Sequence, residues 1–168
     1  AMKLGDDFLF HSLLSPALNI AGRYLYTWPI SPRSVAHIAP RLYWNSDKGV
    51  GVSGLLDYEY TPQPDTLWRT TLYGNYGEQT DGFEWSSQAT WFRRWDKKTA
   101  VSVLTGVRGR TEPSSVIREG WLGFRYRRNV WRPWLFVEAE PGLSWHREVD
   151  YRTEPTFGLR LEVQFYKD

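Results

Sequence analysis

From Leu18 onward the chain alternates between apolar and polar residues with a period of two along almost its whole length. Leu18, Ile20, Gly22, Tyr24, Tyr26 and Trp28 fall on one face, and Asn19, Ala21, Arg23, Leu25 and Thr27 on the other. The pattern repeats with Ala36, Ile38, Pro40, Leu42 and Trp44, then with Val50, Val52, Gly54, Leu56, Tyr58 and Tyr60. It returns late in the chain with Leu135, Val137, Ala139, Pro141, Leu143 and Trp145, and again with Phe157, Leu159, Leu161, Val163 and Phe165. Period two belongs to strands, whose side chains point to alternate faces, whereas a helix repeats every 3.6 residues. No segment carries a helical stripe. Short clusters rich in Ser, Pro, Asp and Gly separate the alternating runs, among them Ser31-Pro32-Arg33-Ser34, Ser46-Asp47-Lys48-Gly49 and Pro62-Gln63-Pro64-Asp65.

This patterning predicts an all-β, antiparallel up-and-down meander of about ten strands, with eight to twelve as the range. Each strand is roughly 10–13 residues long, against the ~5–6 usual in soluble sheets. Residues 1–168 read as one domain with short turns at both ends. Its meander covers 17–166, and residues 1–16 are expected to be an irregular first strand, around Phe8 to Leu14, or an N-terminal segment.

Composition narrows the function classes. Cysteine is absent, which removes disulfide scaffolds, thiolate metal sites and cysteine nucleophiles. No charge-poor apolar run approaches the ~18 residues of a spanning helix, since Trp134-Leu135-Phe136-Val137 already stops at Glu138. The formal net charge is +2 with the signs interspersed, so no basic stripe marks a nucleic-acid partner. Three scattered histidines without cysteine make no recognisable metal site, and no phosphate-binding glycine loop is present; neither a metal nor a cofactor is expected. No signal peptide is recognisable, and Ala1-Met2 reads as a remnant ahead of a mature start, so the expectation is an export signal already removed.

Alternation alone does not say which face meets which environment. A soluble barrel turns its apolar face inward, and an outer-membrane barrel turns it toward lipid. Three features favour lipid. First, aromatic residues, 17% of the chain, gather near strand ends: Trp28, Tyr58, Tyr60, Trp68, Trp91, Trp95, Tyr126, Trp131, Trp134 and Phe165 near one set of turns, Phe83, Trp85, Trp145 and Phe157 near the other. Such belts are what interfacial Trp and Tyr produce in a bilayer. Second, the polar face collects Arg23, Arg41, Asp57, Glu59, Arg69, Glu119, Arg125, Glu138, Glu140, Arg160 and Glu162, with opposite signs on neighbouring strands, as in an ion-paired lumen. Lysine, by contrast, is nearly confined to turns and termini. Third, Thr156 to Phe165 resembles the C-terminal assembly signal of bacterial outer-membrane proteins through Gly158, Leu161, Val163 and Phe165, although Tyr166-Lys167-Asp168 follow.

The stretches Arg23-Tyr24-Leu25-Tyr26-Thr27-Trp28-Pro29, Thr80-Asp81-Gly82-Phe83-Glu84-Trp85, Arg125-Tyr126-Arg127-Arg128-Asn129 and Trp134-Leu135-Phe136-Val137-Glu138 resemble a family of uncharacterised proteobacterial outer-membrane proteins. The resemblance runs from about residue 20 to the end. It implies that the chain matches the C-terminal portion of longer members, whose complete barrel has up to twelve strands. It implies a location and carries no catalytic motif.

Candidate chemistry is sparse. Ser144, His146 and Asp150 lie close in sequence near a turn, in the manner of a rim-located lipid hydrolase. However, Ser and His two apart on one strand have Cβ atoms roughly 6–7 Å apart, which strains a direct hydrogen bond. Glu138 and Glu140 have the spacing of an acid/base pair, but Arg125, Arg127 and Arg160 on adjacent strands are expected to pair with them. His37 reads as one more member of the polar network. Pro40 and Pro141 are expected to cause bulges or local edge character. Short turns argue against a receptor for large ligands. The expectation is an outer-membrane barrel that is not an enzyme, structural or weakly pore-forming, with membrane lipid, lipopolysaccharide and the outer-membrane assembly machinery as partners. The alternatives are a lipid-modifying enzyme using His146 and a soluble lipocalin-like binder of a small apolar ligand.

Overall fold

The computed structural model describes residues 18–80, 82–131 and 134–163. Its strands are β1 (Asn19–Arg23), β2 (Tyr26–Ser31), β3 (Ser34–Asn45), β4 (Gly49–Gln63), β5 (Thr66–Gly77), β6 (Glu84–Arg94), β7 (Thr99–Arg110), β8 (Val116–Asn129), β9 (Leu135–His146) and β10 (Thr153–Val163). They form one antiparallel up-and-down sheet of ten strands, in which β1 and β2 both pair with β3 and every later strand pairs with the next. The all-β meander expected from period two is therefore the fold. The sheet is not closed. Its outer members, β1 with β2 on one side and β10 on the other, are not paired with each other, so the barrel of the sequence reading is not formed by the described strands. The irregular strand expected around Phe8 to Leu14, and Phe165, lie outside the described residues.

Strands β1 and β2 are two halves of one line. The pairs from Asn19↔Asn45 to Arg23↔Arg41 and those from Tyr26↔Ile38 to Pro29↔Val35 keep a single register on β3. The break falls opposite Pro40. There the Tyr24 amide donates to the Pro40 carbonyl at 3.1 Å, and proline has no N–H to return the bond. Pro141 acts in the same way on β8, where pairing passes from Gly123↔Gly142 to Tyr126↔Ala139 without a slip. The bulges expected at Pro40 and Pro141 are thus absent. A missing donor removes one bond, whereas a bulge needs an extra residue in one strand. Register shifts occur instead between Pro29 and Ser31, Tyr60 and Gln63, and Arg108 and Gly109.

The register carries the two-faced pattern across the whole sheet. Directly paired residues point to the same side, so Tyr60, Trp68, Trp91, Val103 and Phe124 form one row on the apolar face. A matching row of His37, Asp57, Thr71 and Gln88 crosses the polar face. Burial is inverted relative to a water-soluble protein. Asp57 and Glu138 on the polar face are each 3% exposed, while Leu42, Phe157 and Leu159 on the apolar face are 62%, 71% and 72% exposed. Among the described residues the buried hydrophobics are only Ala36, Ala39 and Val101.

The turns differ at the two ends. Among the described residues, those at one end include 32–33, 64–65, 95–98, 130–131 and 134; those at the other include 46–48, 78–80, 82–83, 111–115 and 147–152. Asp96 organises one of the short turns, its Oδ1 accepting from the Lys98 and Thr99 amides at 2.6 and 2.8 Å. Those donors, the Lys98 amide foremost, hold its carboxyl below the usual carboxylate range.

Candidate functional site on the polar face

The polar face carries three groups of ion pairs. On β4 and β5, Asp57 accepts two bonds from Arg69, from Nε at 2.9 Å and Nη2 at 2.5 Å, and a third from the Thr71 hydroxyl at 2.9 Å. Register sets Arg69 directly opposite Glu59, yet that carboxylate stays 3.6 Å away. The diagonal partner wins because Asp57 offers both oxygens to the planar guanidinium fork. Beside it the Thr27 hydroxyl and His37 Nδ1 are 3.0 Å apart.

The second group joins β8, β9 and β10. Glu138 lies between Arg125 and Arg160, each 3.4 Å away, and Arg125 Nε is 2.6 Å from Glu140. Arg127 is opposite Glu138 in register, but its guanidinium goes to Glu162 at 3.0 Å, 4.5 Å from the centre of the Phe136 ring. The expected pairing of Arg127 with Glu138 or Glu140 is thereby corrected: Phe136 stands between Arg127 and β10 and offers a surface along which the long side chain extends. The third group sits toward the end with the longer turns, where Arg108 pairs with Glu119. His146 Nδ1 is 3.7 Å from Glu119 and its Nε2 is 3.9 Å from Glu154. Among the described residues no hydrogen bond joins Ser144 to His146.

Between the first two groups lies a concavity of about 480 Å³, lined by Arg69, Thr71, Gln88, Thr90, Ser102 and Arg125 with Leu67 and Phe92. Its floor on β6 and β7 is neutral, so guanidinium groups flank hydroxyl and amide side chains. Large rings also occupy this face. Tyr43 crosses Gly51 to donate to Asn75 Oδ1 at 2.9 Å, and Trp121 lies over Gly106. A Cβ at either glycine would strike the ring, which is why glycine stands there.

The candidate residues are thus distributed as follows. Asp57, Glu59, Arg69, Glu119, Arg125, Glu138, Glu140, Arg160 and Glu162 all lie on the polar face and enter ion pairs. Arg23 and Arg41 lie on that face directly opposite one another and make no ion pair among the described residues; Arg41 instead stacks 5.7 Å from the Tyr43 ring centre. Trp28, Tyr58, Tyr60, Trp68, Trp91 and Tyr126 stand on the apolar face toward the end with turns 32–33 and 64–65, with Trp95, Trp131 and Trp134 in turns at that same end. Trp68 and Trp91 are in contact with ring centres 6.2 Å apart, as are Trp131 and Trp134 at 6.3 Å. Gly158 lies opposite Glu140, and Leu161 and Val163 face outward on β10. Sequence reasoning missed Thr71, Glu154 and the bridging role of Phe136. Period two already placed Thr71 on the polar face; Glu154 lies in the stretch Asp150 to Pro155, which reads as a turn but partly belongs to β10, and the role of Phe136 depends on side-chain reach. Compared with known families and with curated proteins, the chain matches no family model and no individual protein at a significant level.

Proposed function

We propose that this chain is an integral β-barrel of a bacterial outer membrane, not an enzyme, acting as a structural element or a narrow passive pore. Its apolar face meets lipid and its ion-paired face lines the lumen. The observation that supports this most is the inverted burial: charged Asp57 and Glu138 are covered while Leu42, Phe157 and Leu159 are bare. In water each such large apolar side chain would forgo about 1.5–3 kcal/mol of burial, a loss that acyl chains remove. Strand length agrees. The 12 residues of β3 extend about 40 Å and, tilted by about 40°, span about 30 Å, the thickness of a hydrocarbon core. The reading requires the edges of β1, β2 and β10 to find partners in the membrane, because hydrocarbon does not tolerate unpaired backbone. The end with turns 111–115 and 147–152 then faces outward toward lipopolysaccharide, since external loops are the longer ones. The bulk of Tyr43, Phe92, Trp121 and Phe136 on the polar face supports a narrow or plugged lumen.

The test is extraction and electrophoresis. A membrane barrel stays in the detergent fraction and migrates differently before and after boiling; a chain soluble in plain buffer overturns the proposal. Planar-bilayer recording separates the two forms. Conductance altered by Glu138→Ala or Arg160→Ala marks a pore, and a silent bilayer marks a plugged barrel.

A further inference from the structure

We propose that the end of the sheet bearing the longer turns holds a binding site for a phosphate-bearing anion, formed by Arg110, Arg118 and Arg147. These side chains come from three places. Arg110 ends β7, Arg118 stands near the start of β8, and Arg147 opens the turn between β9 and β10. Together with Glu148 they line a concavity of about 270 Å³.

Two local devices bring them together. The first is the bulge between β7 and β8. Arg108 pairs with Glu119 and Gly109 with Ile117, which leaves Arg118 as the extra residue with no partner on β7. A bulge of this kind re-aims the side chain it carries. The second is the turn that carries Arg147. Asp150 and Tyr151 both adopt left-handed backbone, at φ 53° and 54°, and the Tyr151 hydroxyl donates to the Ile117 carbonyl at 2.5 Å. Two successive non-glycine residues in that region are uncommon and persist where surrounding contacts hold them. The bond to Ile117 fastens the turn beside the bulge, so Arg147 and Arg118 share one hollow.

Register sharpens the point. Pairing of β8 with β9 ends at Glu119↔His146, so Arg118 and Arg147 each lie one residue beyond the last pair. Two like charges lining one hollow repel. Of the carboxylates on the neighbouring strands, Glu119 faces Arg108 and His146, Glu154 faces His146, and Glu84 on β6 is opposite Arg110 in register, so the charge excess rests on Arg118 and Arg147. Glu148 is the one acidic group in the lining. Planar guanidinium forks suit phosphate oxygens, which accept paired bonds from them. The phosphate could be borne by a lipid headgroup or by a soluble molecule, and the chemistry of capture is the same.

The test uses the full chain in zwitterionic detergent, titrated with inorganic pyrophosphate by calorimetry. Saturable binding is expected, weakened about tenfold or more by Arg118→Gln and by Arg147→Gln, the loss of one charge-assisted contact each. Glu148→Gln should tighten it. Repeating the titration with lipid A in the micelles distinguishes the sources: competition assigns the site to a lipid headgroup, and undiminished pyrophosphate binding assigns it to a soluble anion. Both substitutions lie in exposed segments, and the gel shift on boiling verifies folding separately. Absent binding, or variants that bind as the unaltered chain does, overturns the proposal and leaves the membrane reading untouched.

Discussion

Arg127 on β8 reaches across β9 to Glu162 on β10, and its guanidinium passes 4.5 Å from the centre of the Phe136 ring on the way. One side chain therefore ties three strands together. Both partners are about one-third exposed, so solvent weakens the pair. A double-mutant cycle with Arg127→Ala and Glu162→Ala should return a coupling of about 0.5–1 kcal/mol in urea unfolding from vesicles. Phe136→Leu should cost a further ~0.5–1 kcal/mol through the lost ring contact. Purely additive single mutants would show that the bridge contributes nothing.

Asp57 and Arg69 form an unequal pair, with side chains 5% and 49% exposed. If Asp57 is removed, Arg69 turns to water or to Glu59. If Arg69 is removed, Asp57 keeps a covered charge with only Thr71 as donor. Arg69→Ala should therefore destabilise the fold by about 3 kcal/mol and Asp57→Ala by less, because a stranded covered charge is the costlier outcome. Equal losses in paired unfolding curves would contradict this ordering.

Gly51 lies beneath the Tyr43 ring, whose hydroxyl goes on to Asn75. Gly51→Ala should cost about 1–3 kcal/mol by overpacking. In the Tyr43→Ala background the same change should be nearly neutral. Tyr43→Phe, which keeps the ring and loses one hydrogen bond, should cost about 1 kcal/mol. A Gly51→Ala penalty that persists without the ring would assign the glycine some other role.

Leu72 and Gln88 test the two faces with one residue type. Leu72 is on the apolar face at mid-strand and 43% exposed, while Gln88 is opposite Thr71 on the polar face. Leu72→Arg should destabilise folding in lipid vesicles by about 2–4 kcal/mol, the range for a charge facing the bilayer midplane. Gln88→Arg should be tolerated. The reverse ranking would place lipid on the wrong side.

Much of this is legible in the sequence. The alternation at Val50 to Tyr60 and at Leu135 to Trp145 named the strands and sorted their faces, because a pleated strand has only two sides. The turn clusters marked where strands end, because Pro, Asp and Gly favour those backbone angles. At Pro40 and Pro141 the expected loss of ladder bonds is present and the expected bulges are not. Sequence shows that a donor is missing but not toward which neighbour it would have pointed, nor whether a residue is added opposite.

The charged face divides in the same way. That Asp57, Glu59, Arg69, Glu138, Glu140 and Glu162 share one side follows from position parity alone. That Arg69 prefers diagonal Asp57, that Arg127 passes over Phe136 to Glu162, and that Arg118, beside a bulge, lines one hollow with Arg147 depends on register and reach. Alternation is a property of each strand by itself, so the sequence determines it. Partner choice among long side chains is settled only when several strands are brought alongside, because each guanidinium then has more than one carboxylate within range and geometry selects among them.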